Sequence, residues 1–104
     1  MILHTVYIKF RCVAESVAIE ELNASLARLK DVIPGITSYA WGPNCSPEGF
    51  GRGFGAGFVM TFTDAAARDA YLTHPEHEAV MPLARPLLDE VFVYDFDLGD
   101  LSLG

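Results

Sequence analysis

The residues best suited to chemistry lie in one short segment, Tyr71-Leu72-Thr73-His74-Pro75-Glu76-His77, which holds two of the three histidines of the chain. Imidazole titrates near neutral pH and phenol donates a hydrogen bond, so the two groups together can move a proton. Proline fixes φ and lacks an N–H, so Pro75 predicts that one helix ends near His74 and another begins. Such a break can turn His74 and His77 towards the space that Tyr71 faces. The segment predicts a site for acid–base chemistry, but it does not indicate a substrate.

The remaining histidine, His4, lies in a segment where side chains alternate in character, which predicts a strand over residues 2–10. Its side chain shares a strand face with Val6, so both point into the same layer. If helices cover that face, His4 meets Tyr71 and His77. The competing interpretation makes His4 a hydrogen-bonded core residue without a chemical role.

Two histidines three residues apart also suggest a metal site, because His74 and His77 with one further ligand would suit a divalent ion. Neither an H-E-x-x-H motif nor a cysteine partner accompanies the pair. In addition, a residue before proline favours extended backbone, so His74 is suited to capping the helix break through a backbone N–H. We therefore predict neither a metal nor a cofactor.

The composition predicts a single domain over residues 1–104 that associates with itself. Of the 104 residues, 51% are hydrophobic and only 20% are charged. A chain of this length buries a modest fraction of its surface alone. The apolar surplus therefore predicts a homodimer in which a second copy covers the remainder.

Charge and hydropathy argue against other partners. The net charge is −7 and the basic residues are scattered, whereas nucleic-acid binding requires clustered Lys and Arg, so we expect no nucleic acid. No apolar run approaches the ~18 residues of a membrane span, and no signal-peptide pattern opens the chain. We therefore expect a cytoplasmic protein that does not enter a membrane. Cys12 and Cys45 lie in no CxxC motif, and we expect both to be reduced thiols.

Hydrophobic periodicity predicts the element order β-α-β-β-α-β, the ferredoxin-like α+β arrangement, with an antiparallel sheet and two helices on one side. The predicted strands cover residues 2–10, 36–41, 54–62 and 91–98, and the helices cover 15–33 and 65–84 with a break at the His-Pro pair. Asp64 is a suitable N-cap for the second helix. Asp95, Asp97 and Asp100 are interpreted as a solvated strand end, since a calcium-loop pattern is incomplete. The uncovered sheet face predicts a dimer that packs sheet against sheet.

Several segments together resemble the stress-responsive A/B barrel (Dabb) domain family. They are His4 on the first strand, Val32-Ile33-Pro34-Gly35-Ile36, Tyr39-Ala40-Trp41-Gly42, Thr61-Phe62-Thr63-Asp64, and His74-Pro75-Glu76-His77. The resemblance covers nearly the whole chain and implies a dimeric α+β barrel in which two sheets enclose a shared interior. It implies no activity by itself, because one fold hosts many functions.

One branch of the family contains plant olivetolic acid cyclase, which closes a linear polyketide by intramolecular aldol condensation without a cofactor. Similarity to that branch implies acid–base roles for His77 and Tyr71, with His4 as a third member of the site. It also places Leu26 and Ala56 where that branch has a pocket tyrosine and a pocket histidine. The resemblance thus implies a more apolar pocket in this chain.

The predicted ligand pocket is formed by Leu26, Ala56, Phe58 and His74, beside the predicted catalytic residues. Three functions stay open. The first is a cofactor-free acid–base enzyme, cyclase-like or isomerase-like, acting on a small apolar carbonyl compound. The second is a non-catalytic dimer that binds a small apolar ligand or acts in a stress response. The third, by analogy of fold, is a cofactor-independent monooxygenase.

Overall fold

Four antiparallel strands form one sheet in the order β2-β3-β1-β4. The structure, a computed structural model, describes residues 1–99. The strands are β1 (Ile2–Phe10), β2 (Ile36–Pro43), β3 (Ala56–Phe62) and β4 (Leu88–Asp97). The helices are α1 (Ser16–Val32), α2 (Ala65–Leu72), α3 (Pro75–Glu78) and α4 (Met81–Ala84), followed by a 3₁₀ turn at Arg85–Leu87. The helices pack on one side of the sheet, which confirms the predicted ferredoxin-like α+β class.

The core lies between the helices and the sheet face that they cover, which we call the inner face. Alternation along β1 sends Ile2, His4, Val6 and Ile8 into this layer, where all four are buried. In α1 the buried residues Leu22, Leu26 and Leu29 recur every three or four positions, so one helix stripe packs on the sheet. The periodicities in the sequence therefore predict the two sides of the core correctly.

The opposite sheet face, which we call the outer face, is not covered by any of residues 1–99. Tyr7 of β1 lies opposite Phe92 of β4 and Gly57 of β3. Along β4, Phe92 and Tyr94 remain 52% and 56% exposed. The exposed large apolar residues of this face are Tyr7, Val59, Phe92, Tyr94 and Phe96. A contiguous strip of large exposed apolar side chains is unusual on the surface of a monomeric soluble protein.

The second helical region is broken twice, not once as predicted. Pro75 begins α3 as expected, but Pro82 lies in the first turn of α4 and Pro86 in the 3₁₀ turn. Proline has no N–H to donate, so each one favours the start of a new helical turn over continuation of the last. At the other end of the region Asp64 caps α2, since its Oδ1 accepts a hydrogen bond from the Ala67 N–H at 2.8 Å.

Four strand boundaries differ from the prediction. β2 ends at Pro43 rather than at residue 41, and β4 ends at Asp97 rather than at residue 98. β3 begins at Ala56 rather than at residue 54. β4 begins at Leu88 rather than at residue 91, because Leu88 pairs with Phe10 and the preceding Leu87 carbonyl accepts the Arg11 N–H. None of the helices within residues 1–99 is long and apolar enough to cross a bilayer.

Substitution of Gly35 tests the turn that joins α1 to β2. Gly35 has a φ of +92°, and a Cβ at this position would lie 2.5 Å from the Ala67 Cβ. Gly35→Ala should lower the free energy of unfolding by roughly 1–3 kcal/mol, because the backbone strain at positive φ adds to the steric overlap with Ala67. Urea denaturation measures the change. Gly55 has an ordinary φ and open space around it, so Gly55→Ala should change stability by less than about 0.5 kcal/mol. Equal effects of the two substitutions would contradict this account.

Candidate active site

A cavity of about 250 Å³ lies between the inner face of the sheet and the helices. Most of its wall is formed by aliphatic and aromatic side chains, with a few polar groups. The lining residues are His4, Val6, Ile8, Leu22, Leu26, Phe58, Tyr71, Leu72, His77, Met81, Ala84, Arg85, Leu88, Val91 and Val93. An apolar cavity with a few convergent polar groups is typical of a small-molecule site.

The cavity brings together five of the seven residues that the sequence suggested. His4, Tyr71 and His77 all line it, and Leu26 and Phe58 form part of its apolar wall. The distance from His4 to Tyr71 is 5.8 Å between ring centroids. Residues of two strands and three helices thus meet in one space, which only the packing of helices on the sheet can achieve.

The other two predicted pocket residues, Ala56 and His74, lie outside this lining. Ala56 lines a second concavity, beside the connection from β2 to β3. His74 is the N-cap of α3, where its Nδ1 accepts a hydrogen bond from the Glu76 N–H at 3.1 Å. The backbone N–H groups at a helix start require acceptors, and His74 supplies one here instead of facing a ligand. Within residues 1–99, no cluster of His, Cys, Asp or Glu side chains is arranged to hold a metal ion.

Tyr71 and His77 contact each other through their rings. Tyr71, in the last turn of α2, is only 1% exposed and packs on Phe62 at 5.1 Å between centroids. Its ring centroid lies 4.2 Å from that of His77, with the planes 36° apart. The His77 Nδ1 lies 3.3 Å from the Leu72 carbonyl oxygen. A carbonyl oxygen only accepts, so Nδ1 carries the proton and Nε2 has the free lone pair when the imidazole is neutral.

Burial shifts the pKa values of these two residues in opposite directions. Loss of water lowers the pKa of His77 below 6.5, and the nearby His4 adds to this effect, although the Leu72 carbonyl partly opposes it. Burial also raises the pKa of Tyr71, and the negative charge of Asp95 raises it further. Both shifts disfavour the charged form of the residue. At neutral pH the site therefore holds a neutral imidazole that can accept a proton and a phenol that can donate a hydrogen bond.

Asp95, which we interpreted from the sequence as part of a solvated strand end, is a member of this site. Its Oδ1 accepts a hydrogen bond from His4 Nδ1 at 2.7 Å, and its Oδ2 accepts one from Arg68 Nη1 at 2.7 Å. The carboxylate holds the His4 ring in one tautomer, with Nε2 unprotonated when the ring is neutral. Of the two other aspartates in the interpretation, Asp97 is exposed and Asp100 lies outside the described residues.

Strand alternation contains the signal that locates Asp95. Phe92, Tyr94 and Phe96 point to the outer face, so Asp95 must point to the inner face with Val93. The register places Asp95 directly opposite His4. Strand pairing between residues so far apart in sequence is not readable from the local pattern, and this explains why the pair was missed.

Comparisons with known proteins agree with this architecture. The sequence matches the family model described as the Stress Responsive A/B Barrel Domain (Dabb) over residues 2–98. It is 29% identical over 100 residues to the stress-response A/B barrel domain-containing protein HS1 of Arabidopsis thaliana, covering 96% of this chain and 92% of that protein.

Two solved structures illustrate the range of similar proteins. A dimeric ferredoxin-like protein of unknown function from Jannaschia sp. CCS1 is 31% identical, with a TM-score of 0.84 over 93% of this chain and 98% of the other. The hydroxynitrile lyase from Passiflora edulis has a TM-score of 0.87 over 97% and 95% of the two chains. Its sequence identity is only 17%, so that similarity shows the fold alone.

Substitution of Asp95 tests the hydrogen bonds that hold His4. Asp95→Asn removes the negative charge and one acceptor, so either His4 or Arg68 loses its partner. We expect the free energy of unfolding at pH 7 to fall by about 1–3 kcal/mol, the range for hydrogen bonds that involve a charged group. Urea denaturation measures it. Asp89→Asn is the matched control, because Asp89 is an exposed residue of the same strand. A loss no larger than that of the control would mean that the Asp95 contacts do not stabilise the fold.

Proposed function

The chain belongs to the stress-responsive A/B barrel (Dabb) domain family, and we propose that it is a cofactor-free acid–base enzyme acting on a small apolar carbonyl compound. One observation carries this proposal: the rings of His77 and Tyr71 lie in contact in the wall of an apolar cavity. Burial there lowers the pKa of His77 and raises the pKa of Tyr71, which favours a neutral imidazole and a protonated phenol. A general base must be unprotonated at the working pH, and an oxyanion donor must be protonated. Burial produces both conditions at once.

The proposed reaction begins with removal of a proton from the carbon next to the substrate carbonyl. His77 Nε2 accepts that proton, and the electrons of the C–H bond move to form an enolate. The Tyr71 hydroxyl donates a hydrogen bond to the enolate oxygen, where the negative charge develops. Return of the proton to a different atom completes an isomerisation. Attack of the enolate carbon on a second carbonyl carbon of the same molecule instead closes a ring, as in a cyclase. The carbonyl π electrons then move to its oxygen, and this alkoxide takes the proton from His77.

His4 has a supporting place in this scheme. Its Nδ1 is committed to Asp95, so its Nε2 is the nitrogen left for a ligand or for a water molecule in the cavity. His4 is 6% exposed and lies near Phe58 and Phe62, whose rings restrict its movement. A ring with one defined tautomer and one orientation can orient a polar group of the substrate.

Hydrogen–deuterium exchange in a simple ketone tests the proposal before the natural substrate is known. In D₂O, deuterium replaces the protons next to the carbonyl of heptan-2-one, and NMR follows the loss of the proton signal. We expect the wild-type protein to accelerate this exchange. His77→Gln should lower the enzymatic rate by about 10²-fold or more, because the base is lost. Tyr71→Phe should lower it by roughly 10²-fold, because one oxyanion donor is lost while the ring remains.

The third histidine supplies the control for this experiment. His74→Asn keeps a capping side chain outside the cavity, so the exchange rate should stay within about twofold of the wild type. The rate should also rise with pH through the lowered pKa of His77, because only the neutral imidazole accepts a proton. Exchange that is unaffected by His77→Gln would refute the proposal. Binding of the ketone without accelerated exchange, abolished by filling the cavity with Leu26→Trp, would instead indicate a non-catalytic ligand-binding protein.

We also infer that two copies of the chain pack through their outer faces. This proposal is supported by the exposed apolar strip that includes Tyr7, Phe92 and Tyr94. The similar protein from Jannaschia sp. CCS1 is described as dimeric. Packing of one sheet on another would bury the strip, which the helices of the same chain do not reach. The cavity lies on the inner face, so the dimer would leave it accessible.

A charge on the outer face tests the dimer. In light scattering at micromolar concentration, the wild-type protein should have twice the chain mass of 11.4 kDa. Phe92→Lys should shift it to the mass of one chain, because a buried unpaired charge is costly. Val13 is 79% exposed and lies in the connection between β1 and α1, so Val13→Lys should not change the mass. A wild-type mass of 11.4 kDa would refute the dimer.

We also propose that the protein is located in the cytoplasm. Cys12 and Cys45 are both exposed and neither forms a disulfide. Exposed thiols persist in a reducing compartment, whereas oxidising compartments favour their conversion to disulfides.

A further inference from the structure

Among residues 1–99, Arg85 is the one arginine or lysine that lines the cavity. We propose that the substrate is a medium-chain oxo acid whose carboxylate binds Arg85 while its carbonyl group lies between His4, Tyr71 and His77. This inference rests on the proposed function, since it assigns a substrate class to the same site. It follows from the direction of the cavity, from the charge around Arg85, and from the cavity volume.

The cavity runs along β1, with the acid–base residues at one end. His4 and Ile8 both line it, and a strand rises by about 3.3 Å per residue, so the lining extends roughly 13 Å along this strand. His4 lies opposite Asp95, whereas Ile8 lies opposite Val91. Arg85 belongs to the 3₁₀ turn that leads into Leu88, and Leu88 pairs with Phe10. Arg85 therefore lies at the end of the cavity remote from His4.

Among the described residues, the charge of Arg85 has no acidic partner. Within residues 1–99, no carboxylate lies within ion-pair distance of Arg85, whereas Arg28 pairs with Glu76 and Arg68 with Asp95. The protein has twice as many acidic as basic residues, 14 against 7, so carboxylates are abundant. A guanidinium stays charged at all physiological pH values and binds a carboxylate through two parallel N–H groups. An exposed arginine at an apolar cavity is thus suited to an acidic ligand from outside.

The cavity volume suits a ligand of medium length. A cavity of about 250 Å³ holds roughly eight groups of the size of a water molecule. A linear chain of about eight carbon atoms fills this space, with one polar group at each end. Val91 and Val93 line the cavity and are both exposed, so the ligand enters on the side of β4.

Two probes of equal length distinguish the contribution of the carboxylate to the affinity from that of the alkyl chain. Octanoate carries the charge, and octanamide has the same shape without it. Calorimetric titration at pH 8, where the imidazole of His77 is neutral, should show that the wild-type protein binds octanoate about tenfold more tightly than octanamide. Arg85→Gln should abolish this preference and leave the affinity for octanamide within about twofold. Arg85→Lys should retain part of the preference, because the charge remains.

Lys30→Gln controls for the change in net charge, since Lys30 is exposed on α1 and should not affect either affinity. The inference is wrong if the wild-type protein binds octanoate no more tightly than octanamide. It is also wrong if Arg85→Gln still binds octanoate more tightly than octanamide. In both cases the apolar ligand site is retained. If neither probe binds to the wild-type protein, the inference and the apolar-ligand site of the proposed function are both wrong. The wild-type protein could accelerate deuterium exchange in heptan-2-one and yet bind octanoate no more tightly than octanamide. That result would leave the enzyme proposal intact and refute only the role of Arg85.

Discussion

A buried histidine determines how the parts of this protein fit together. His4 lies on an apolar strand face, where an imidazole without partners would be costly. Asp95 on the neighbouring strand satisfies its Nδ1, and Arg68 on α2 balances the charge of Asp95. The chain of contacts links β1, β4 and α2. Because Arg68 and Tyr71 are one turn apart on the same helix, the contacts that hold Arg68 also hold Tyr71 over the sheet.

The apolar surroundings of the cavity prepare both reactive groups by one physical effect. Removal of water disfavours charge, which lowers the pKa of His77 and raises the pKa of Tyr71. The neutral imidazole is a base and the neutral phenol is a donor, so a single environment supplies two complementary roles. His4 is held differently, because its Nδ1 is bonded to Asp95 at 2.7 Å. The site thus combines two groups adjusted by burial with one oriented by hydrogen bonds.

The proposed dimer surface and the proposed active site lie on opposite faces of the sheet. The inner face carries the helices and the cavity, whereas the outer face presents an apolar strip that includes Tyr7, Phe92 and Tyr94. Alternation along β4 produces this division directly, since Asp95 points inward between Tyr94 and Phe96, which point outward. A change on one face can therefore alter association without altering the cavity. Such independence suits a fold that hosts different functions among its relatives.

By itself the sequence determined the order of the elements, the two faces of β1, and the helix break at Pro75. These features depend on residues close together in the chain, where alternation, helical spacing and the geometry of proline act locally. The segment with two histidines was also recognisable from the sequence as a candidate site. Its pattern did not indicate which of the two rings faces a cavity. Tertiary structure decided that His77 contacts Tyr71 while His74 caps α3.

The tertiary structure also decided that Asp95 joins His4, and that Arg85 lies at the cavity while Ala56 does not. His4 and Asp95 are 91 positions apart, so their contact depends on strand register, which only the assembled sheet establishes. The open space of the cavity has the same origin, because it is what remains after side chains from separate elements have packed. Local patterns specify which face a side chain points to, and long-range packing specifies which side chains meet there.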